Sequence, residues 1–376
     1  MADFDVLIVG AGPAGCATAL SLADFAPALR VCLVDAPPRD GVHVGETVPP
    51  QIRPLLDHLG LWPGFIADGH CGSYRTVSAW GSPYLGSNEF LFDTRQVGWR
   101  LDRSRFDDMM LRAASMRVAS RVAGKAADIA LTDSGWRIVA DGHTIAARFA
   151  VDATGRTAAL ARQQGVRPVV DDRLLGCFVL FEGAADDGEG LMIETFPDGW
   201  WYSAAIPGGR RVIACMSDAD IVRRLGLGRL DRWMQALDQT THVRATATGA
   251  RPVGAPTLRP AGSQCLAHDG ALPFLCVGDA ASCFDPVSGQ GIVKALRSGI
   301  FASYAIGDFL LRGDATGLKR YRAFVTSAFA GYRTTLRDYY ALERRWPDRP
   351  FWQRRLGNER RREHASSPAR EAPVSL

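Results

Sequence analysis

Asp5-Val6-Leu7-Ile8-Val9 runs directly into Gly10-Ala11-Gly12-Pro13-Ala14-Gly15, and the reading of this stretch decides the fold. The apolar run suits a parallel strand buried on both faces. The glycines follow at once, and a small-residue helical pattern extends from Cys16 to Phe25. A second apolar run, Val31 to Val34, ends in Asp35, twenty residues after Gly15. Each residue type has a physical task in this strand–turn–helix–strand order. Gly10 permits the tight turn, Gly12 lets the backbone approach a pyrophosphate, and Gly15 lets the helix pack close on the strand. Pro13 suits the first helical turn, where no N–H is needed. Ala14 follows it at the helix start, whose N–H groups and dipole favour phosphate. Asp35 is placed to accept from a ribose hydroxyl. The pattern predicts a dinucleotide-binding α/β unit.

Other segments extend the ligand. Arg103-Ser104-Arg105-Phe106-Asp107 opens a helical segment running to Ala114, and Arg103 is a candidate for the ribityl or phosphate end. Val151-Asp152-Ala153-Thr154-Gly155-Arg156 ends a strand. Phe274-Leu275-Cys276-Val277 is another strand, followed by Gly278-Asp279. After Asp285-Pro286, the glycine turn Ser288 to Gly291 opens a helix at Ile292. A strand-end Asp279 is placed to bind a polyol, and a glycine turn at a helix start to stabilise negative charge on a planar ring. An adenosine end near Asp35, a pyrophosphate near Gly12, a ribityl chain near Asp279 and a ring near Gly289–Gly291 describe FAD.

The middle of the chain differs. Gly176–Phe181, Leu191–Phe196, Trp200–Ile206 and Arg211–Met216 read as strands, with turns at Pro197-Asp198-Gly199 and Pro207-Gly208-Gly209. A further strand pair is expected near Val77–Trp80 and Glu89–Phe92. The fold expected is mixed α/β: a Rossmann-type FAD-binding domain with an inserted antiparallel-sheet domain and a short C-terminal helical segment. Residues 1–75, 100–160 and 266–312 are assigned to the first, and 76–99 and 161–265 to the second. Residues 313–357 are assigned to C-terminal helices and 358–376 to a tail.

Composition agrees with a globular protein, at 47% hydrophobic and 22% charged residues. No stretch approaches a bilayer span of roughly 20 apolar residues, and Met1–Asp5 lacks a basic leader. The eight cysteines contain no Cys-x-x-Cys pair and several lie in apolar runs, so reduced core cysteines in a cytoplasmic protein, with no metal site, are expected. The net charge of +4 lies in residues 341–376, with nine arginines against five acids. The remaining body is neutral, which is not a nucleic-acid-binding profile.

These motifs resemble the FAD-dependent aromatic hydroxylase superfamily, which includes the flavin-dependent halogenases. Gly45-Glu46-Thr47-Val48-Pro49-Pro50 is similar to a Gly-Glu-Ser-x-x-Pro-Pro stretch of the halogenase-like branch. Ala79-Trp80-Gly81-Ser82, Gly98-Trp99-Arg100-Leu101-Asp102-Arg103 and Gly199-Trp200-Trp201-Tyr202-Ser203 resemble a subgroup. It comprises the LodB-like and GoxB-like flavoproteins of tryptophylquinone maturation. The resemblance implies FAD contacts at Gly10, Gly12, Pro13, Ala14, Gly15, Asp35, Glu46, Thr47, Arg103, Thr154, Gly155, Asp279, Pro286, Gly289, Gly291 and Ile292. It implies a substrate wall of Trp80, Trp200, Trp201 and Tyr202, although alternation across a strand puts at least one of the last three in the core. Three catalytic candidates stay open. Glu46 is a flavin contact or a loop acid, His43 a base or a surface residue, and Asp285 a chemical group or a turn cap.

Lysine separates the branches. Halogenases of this superfamily depend on a lysine near the substrate, whereas residues 1–124 here contain none. The corresponding strand reads Ser73-Tyr74-Arg75-Thr76-Val77-Ser78-Ala79-Trp80, and arginine does not readily exchange a proton at neutral pH. The Trp-x-Trp-x-Ile-Pro motif of halogenases is replaced by Trp200-Trp201-Tyr202-Ser203-Ala204-Ala205 before Ile206-Pro207. The resemblance therefore implies a monooxygenase. A flavin peroxide would hydroxylate an electron-rich aromatic ring, with tryptophan or indole favoured, free or within a peptide or protein. A small-molecule hydroxylase of secondary metabolism and a non-catalytic maturation partner are the alternatives. A single dinucleotide fingerprint leaves NAD(P)H as a transient visitor or a partner flavin reductase as the electron source.

Overall fold

A computed structural model describes residues 2–36, 47–89, 97–183, 190–266 and 273–356. His43 and Glu46 lie outside the described residues, as does the chain after residue 356. Phe4–Val9 is central in a seven-stranded sheet, parallel to Val31–Asp35 on one side and His143–Asp152 on the other. Ser120–Ala123 extends the sheet beyond Val31–Asp35, and Phe274–Cys276 lies parallel to the last residues of His143–Asp152. Val6, Leu7, Ile8 and Val9 are all buried, as expected for a strand covered on both faces. The hairpin Ala127–Thr132 and Gly135–Ala140 completes the sheet antiparallel to the first half of His143–Asp152.

Two helices cover the sheet at the site. Pro13–Phe25 follows the glycine turn, and Gly291–Arg312 packs against it. The contact is backbone-close, since a Cβ at Gly299 would lie 2.5 Å from the Ala14 carbonyl oxygen. Thr316–Ala341 then runs back along Gly291–Arg312, and residues 350–356 add a final helical segment.

The second seven-stranded sheet has the order Arg251–Pro260, Leu174–Glu182, Arg210–Asp218, Gly199–Ile206, Leu191–Phe196, Arg75–Ala79, Gly86–Glu89. Its neighbours are antiparallel except Leu191–Phe196 with Arg75–Ala79, which are parallel. The four expected middle strands are present, with longer bounds for three of them. Arg75–Ala79 pairs with Gly86–Glu89 after the turn at Gly81–Leu85; of the strand expected near Glu89–Phe92, only Glu89 lies within the described residues. Residues 90–96 lie outside the described residues. The core divides accordingly. One cluster lies around the parallel sheet, and one lies on each face of the antiparallel sheet. Among the described residues no helix is long and apolar enough to cross a membrane.

Candidate functional site

The glycine turn is built from two opposite kinds of glycine. Gly10 has φ +106°, and a Cβ there would stand 2.3 Å from the Ala153 carbonyl oxygen, so both backbone and space require glycine. Gly12 has ordinary extended backbone at the N-cap of Pro13–Phe25, and a Cβ there would meet nothing within 4 Å. That open space lies at the helix N-terminus, where N–H groups lack intrahelical partners. Pro13 and Ala14 occupy the first helical turn, and Gly15 abuts the Gly10 carbonyl. Asp35 ends its strand with one carboxylate oxygen 2.8 Å from Arg121.

The Thr154–Gly155 loop faces this turn through Ala153. Asp152, fully buried, organises it by accepting from the Thr154 amide (3.1 Å), the Thr154 hydroxyl (2.6 Å) and the Ala161 amide (3.1 Å). The Thr154 hydroxyl also accepts from the Ala159 amide and is thus committed to the loop. Gly155 has φ +68° and open space around it.

Asp279 lies in the turn Gly278–Ala280, which Ser298 holds through the Gly278 amide at 2.8 Å. Its carboxylate is 44% exposed and accepts from Lys294 Nζ at 2.7 Å. Burial raises its pKa, but Lys294, with Arg156 and Arg103 beyond it, prevails and holds the carboxyl below its ordinary range. Arg103 starts the helix Arg103–Ser115 and is steadied by both oxygens of Asp107 at 3.1 Å. The structure thus brings Arg103 and Asp279 together and adds Lys294 and Arg156, which sequence reasoning missed. Lys294 was legible in retrospect, as one of three lysines and the one placed a single turn into the helix after the glycine motif.

The ring end is the turn Asp285–Gly291. Asp285 caps the short helical turn Pro286–Ser288 by accepting from the Val287 amide at 2.9 Å. Gly289 is left-handed at φ +61°, and neither it nor Gly291 has a neighbour within 4 Å of a built Cβ. Ile292 is buried at the helix start. The Thr47 hydroxyl is buried without a hydrogen-bond partner among the described residues. Asp285 is 2% exposed, and its carboxyl is pushed up to about 7 by burial first and the charge of Asp172 second. The Val287 amide, Arg355 and Tyr340 oppose that rise. Tyr340 donates to Asp285 Oδ2 at 2.8 Å and accepts from Trp200 Nε1 at 2.9 Å.

The four aromatic candidates divide. Trp200 and Tyr202 lie on the sheet face covered by Tyr340, Phe351 and Trp352, and Trp80 is 6.2 Å from Trp200. Trp201 points to the opposite face, fully buried, with its ring 5.0 Å from Trp233. Period-two alternation along the strand separates it from Trp200 and Tyr202.

These features fit FAD on structural grounds: open space at Gly12, Gly155, Gly289 and Gly291, an unsatisfied Thr47 hydroxyl, and an ionised, part-exposed Asp279. The residues that would hold it are the Gly10–Gly15 turn, Asp35, Thr47, Arg103, the Thr154–Gly155 loop, Asp279 and the Pro286–Ile292 turn.

A Rossmann-type parallel sheet joined to a second, antiparallel sheet is a fold shared with solved FAD-dependent halogenases. The chondrochloren halogenase CndH, a variant FAD-dependent halogenase, has this fold, with a TM-score of 0.85 over 96% of this chain and 88% of that one at 22% identity. A family model for lycopene cyclase protein matches residues 5–47, the nucleotide-binding start. The chain belongs to the family of the putative FAD-dependent oxidoreductase LodB of Marinomonas mediterranea. The two are 31% identical over 366 residues, covering 94% of this chain and 97% of that protein. It is also similar to the peptidyl tryptophan dihydroxylase QhpG, essential for tryptophylquinone cofactor biogenesis. That likeness has 26% identity and a TM-score of 0.75 over 94% of this chain and 79% of that one. The chain is therefore an FAD-dependent oxidoreductase.

Proposed function

We propose that this protein is an FAD-dependent monooxygenase that hydroxylates a tryptophan or indole ring presented by a peptide or protein substrate during quinone-cofactor maturation. The observation that carries the reading is the end-to-end match to LodB at 31% identity, together with the likeness to QhpG. Global shape favours the halogenases by TM-score, but at 22% identity shape speaks for the fold alone. The absence of lysine from residues 1–124 weighs against halogenation.

Bound reduced FAD supplies the activated oxygen. The chain supplies position and environment. Asp279, kept ionised by Lys294, binds the polyol. The N-terminus of Gly291–Arg312 directs backbone N–H groups and its dipole at the ring end. Trp80, Trp200 and Tyr202, covered by Tyr340 and Trp352, back the site as an aromatic layer that excludes water. Electrons come from NAD(P)H visiting transiently or from a partner flavin reductase.

The test presents the FAD-loaded protein with chemically reduced flavin, oxygen and bromide. Tryptophan-containing peptides and free tryptophan are offered separately. Mass gain by oxygen on peptide tryptophan is expected. Mass gain by bromine, or oxygenation of free tryptophan alone, contradicts the reading.

A further inference from the structure

Tyr340, Trp352 and Trp346 form a continuous aromatic line from the Asp285 turn to the surface. The Tyr340 and Trp352 ring centroids are 6.0 Å apart, and those of Trp352 and Trp346 are also 6.0 Å apart with near-stacked planes. Trp80 flanks the line, 5.4 Å from Tyr340 and 5.8 Å from Trp352. Trp352 is fully buried and Tyr340 nearly so, while Trp346 is half-buried. The two ends differ chemically. At the inner end the Tyr340 hydroxyl donates to Asp285 Oδ2. At the outer end the Arg345 guanidinium lies over the Trp346 ring at 4.4 Å. Between them the Trp352 N–H is held by the Phe196 carbonyl at 3.0 Å. Tyrosine gives up an electron readily only if its proton has somewhere to go, and tyrosine and tryptophan are the aromatic side chains most easily oxidised.

We propose that this line carries oxidising equivalents away from the flavin site to the surface. The protective role rests on the oxygen-activating function proposed above, whereas the path itself does not. Oxygen activation without substrate releases hydrogen peroxide, which reduced iron in solution cleaves to hydroxide and hydroxyl radical, a one-electron oxidant. Such an oxidant takes one electron from Tyr340 and becomes hydroxide. The Tyr340 O–H bond breaks and its proton passes to Asp285 Oδ2. Trp352 then returns an electron to Tyr340, which recovers its proton from Asp285, and Trp346 returns an electron to Trp352. Trp346 loses its indole proton to water, a loss favoured by the Arg345 cation. A soluble thiol supplies the final electron and is oxidised, and water returns the proton. Transfer from tyrosyl to tryptophan is uphill, and removal of the vacancy at the surface draws it forward.

The path is tested by running it downhill, from Trp346 inward. Pulse radiolysis of the full-length, FAD-supplied protein with azide radical oxidises solvent-reachable indole, and the tryptophanyl signal is followed as it converts to tyrosyl. The expected result is a conversion whose rate does not depend on protein concentration. It is lost in Trp352→Phe and Tyr340→Phe and retained in Tyr339→Phe, each variant first checked for an unshifted melting transition. Conversion that persists in both Phe variants, or that is absent from the parent protein, overturns the proposal. Flavin absorbance in the same samples separates the two readings. Intact conversion without bound flavin upholds the path and removes the cofactor assignment.

Discussion

The nucleotide half and the inner face of the antiparallel sheet solve opposite problems. Around Gly12, Gly155, Gly289 and Gly291 the chain leaves space unfilled, and its turns are held by partners a few residues away. On the inner sheet face the chain fills its own space with its C-terminal segment. Trp352, Tyr340 and Phe351 pack on Trp200 and Phe178, and the edges are pinned by ion pairs. Arg355 reaches Asp218 at 2.9 Å, and Glu343 accepts from Thr195 at 2.7 Å and from the Gly81 amide at 2.9 Å. Open space is kept by local geometry in the first region, and in the second it is closed by residues far along the chain.

The largest expected effect breaks the first region in two different ways. Gly10→Ala forces a Cβ against the Ala153 carbonyl at positive φ and should destabilise the fold by at least about 3 kcal/mol. Gly12→Ala meets no protein atom, so it should cost about 1 kcal/mol or less in stability. Its methyl group enters the phosphate space, so FAD affinity should fall by roughly tenfold or more. Thermal melts and flavin titrations on both variants check this. If Gly12→Ala binds FAD unchanged, the space at Gly12 is not the phosphate site.

The second region should yield next. Arg355→Met leaves Asp218 buried with only the part-exposed Arg354 and should cost roughly 2–3 kcal/mol by denaturant unfolding. FAD affinity should change less than stability, because Arg355 acts on the Asp285 turn through its charge alone and Asp218 contacts neither glycine turn. A third test is a tilt with pH where the two regions meet. Asp285 has an ordinary value of 3.8 and is pushed up to about 7 in the folded chain. The fold thus favours its protonated form. That contribution is complete below about pH 3.8, declines as the unfolded carboxyl ionises, and is lost once pH passes about 7. The groups facing Asp285 are Asp172, Arg355, Tyr340 and Tyr332. Asp285→Asn should flatten the stability–pH curve across this window. Parallel curves for the two proteins would show that Asp285 does not titrate there.

The same contrast explains what the sequence revealed. The Gly10–Gly15 and Asp285–Gly291 turns are legible because glycine spacing and a turn cap are written within a few residues. Asp285–Tyr340 and Asp218–Arg355 join residues 55 and 137 positions apart, and no local pattern encodes such pairs. Trp201 shows the boundary between the two cases. Alternation sets Trp201 opposite Trp200 and Tyr202, but whether Trp201 or the other two turn away from Tyr340 depends on which sheet face the Leu230–Leu237 helix covers.

The most direct test of the central claim uses isotopically heavy dioxygen with the FAD-loaded protein, reduced flavin and a tryptophan-containing peptide from a quinone-forming oxidase. The account expects the heavy oxygen atom on the indole ring, with oxygen consumption stimulated by the peptide. Oxygen derived from water, or oxygen consumed with the peptide left unmodified, would contradict it.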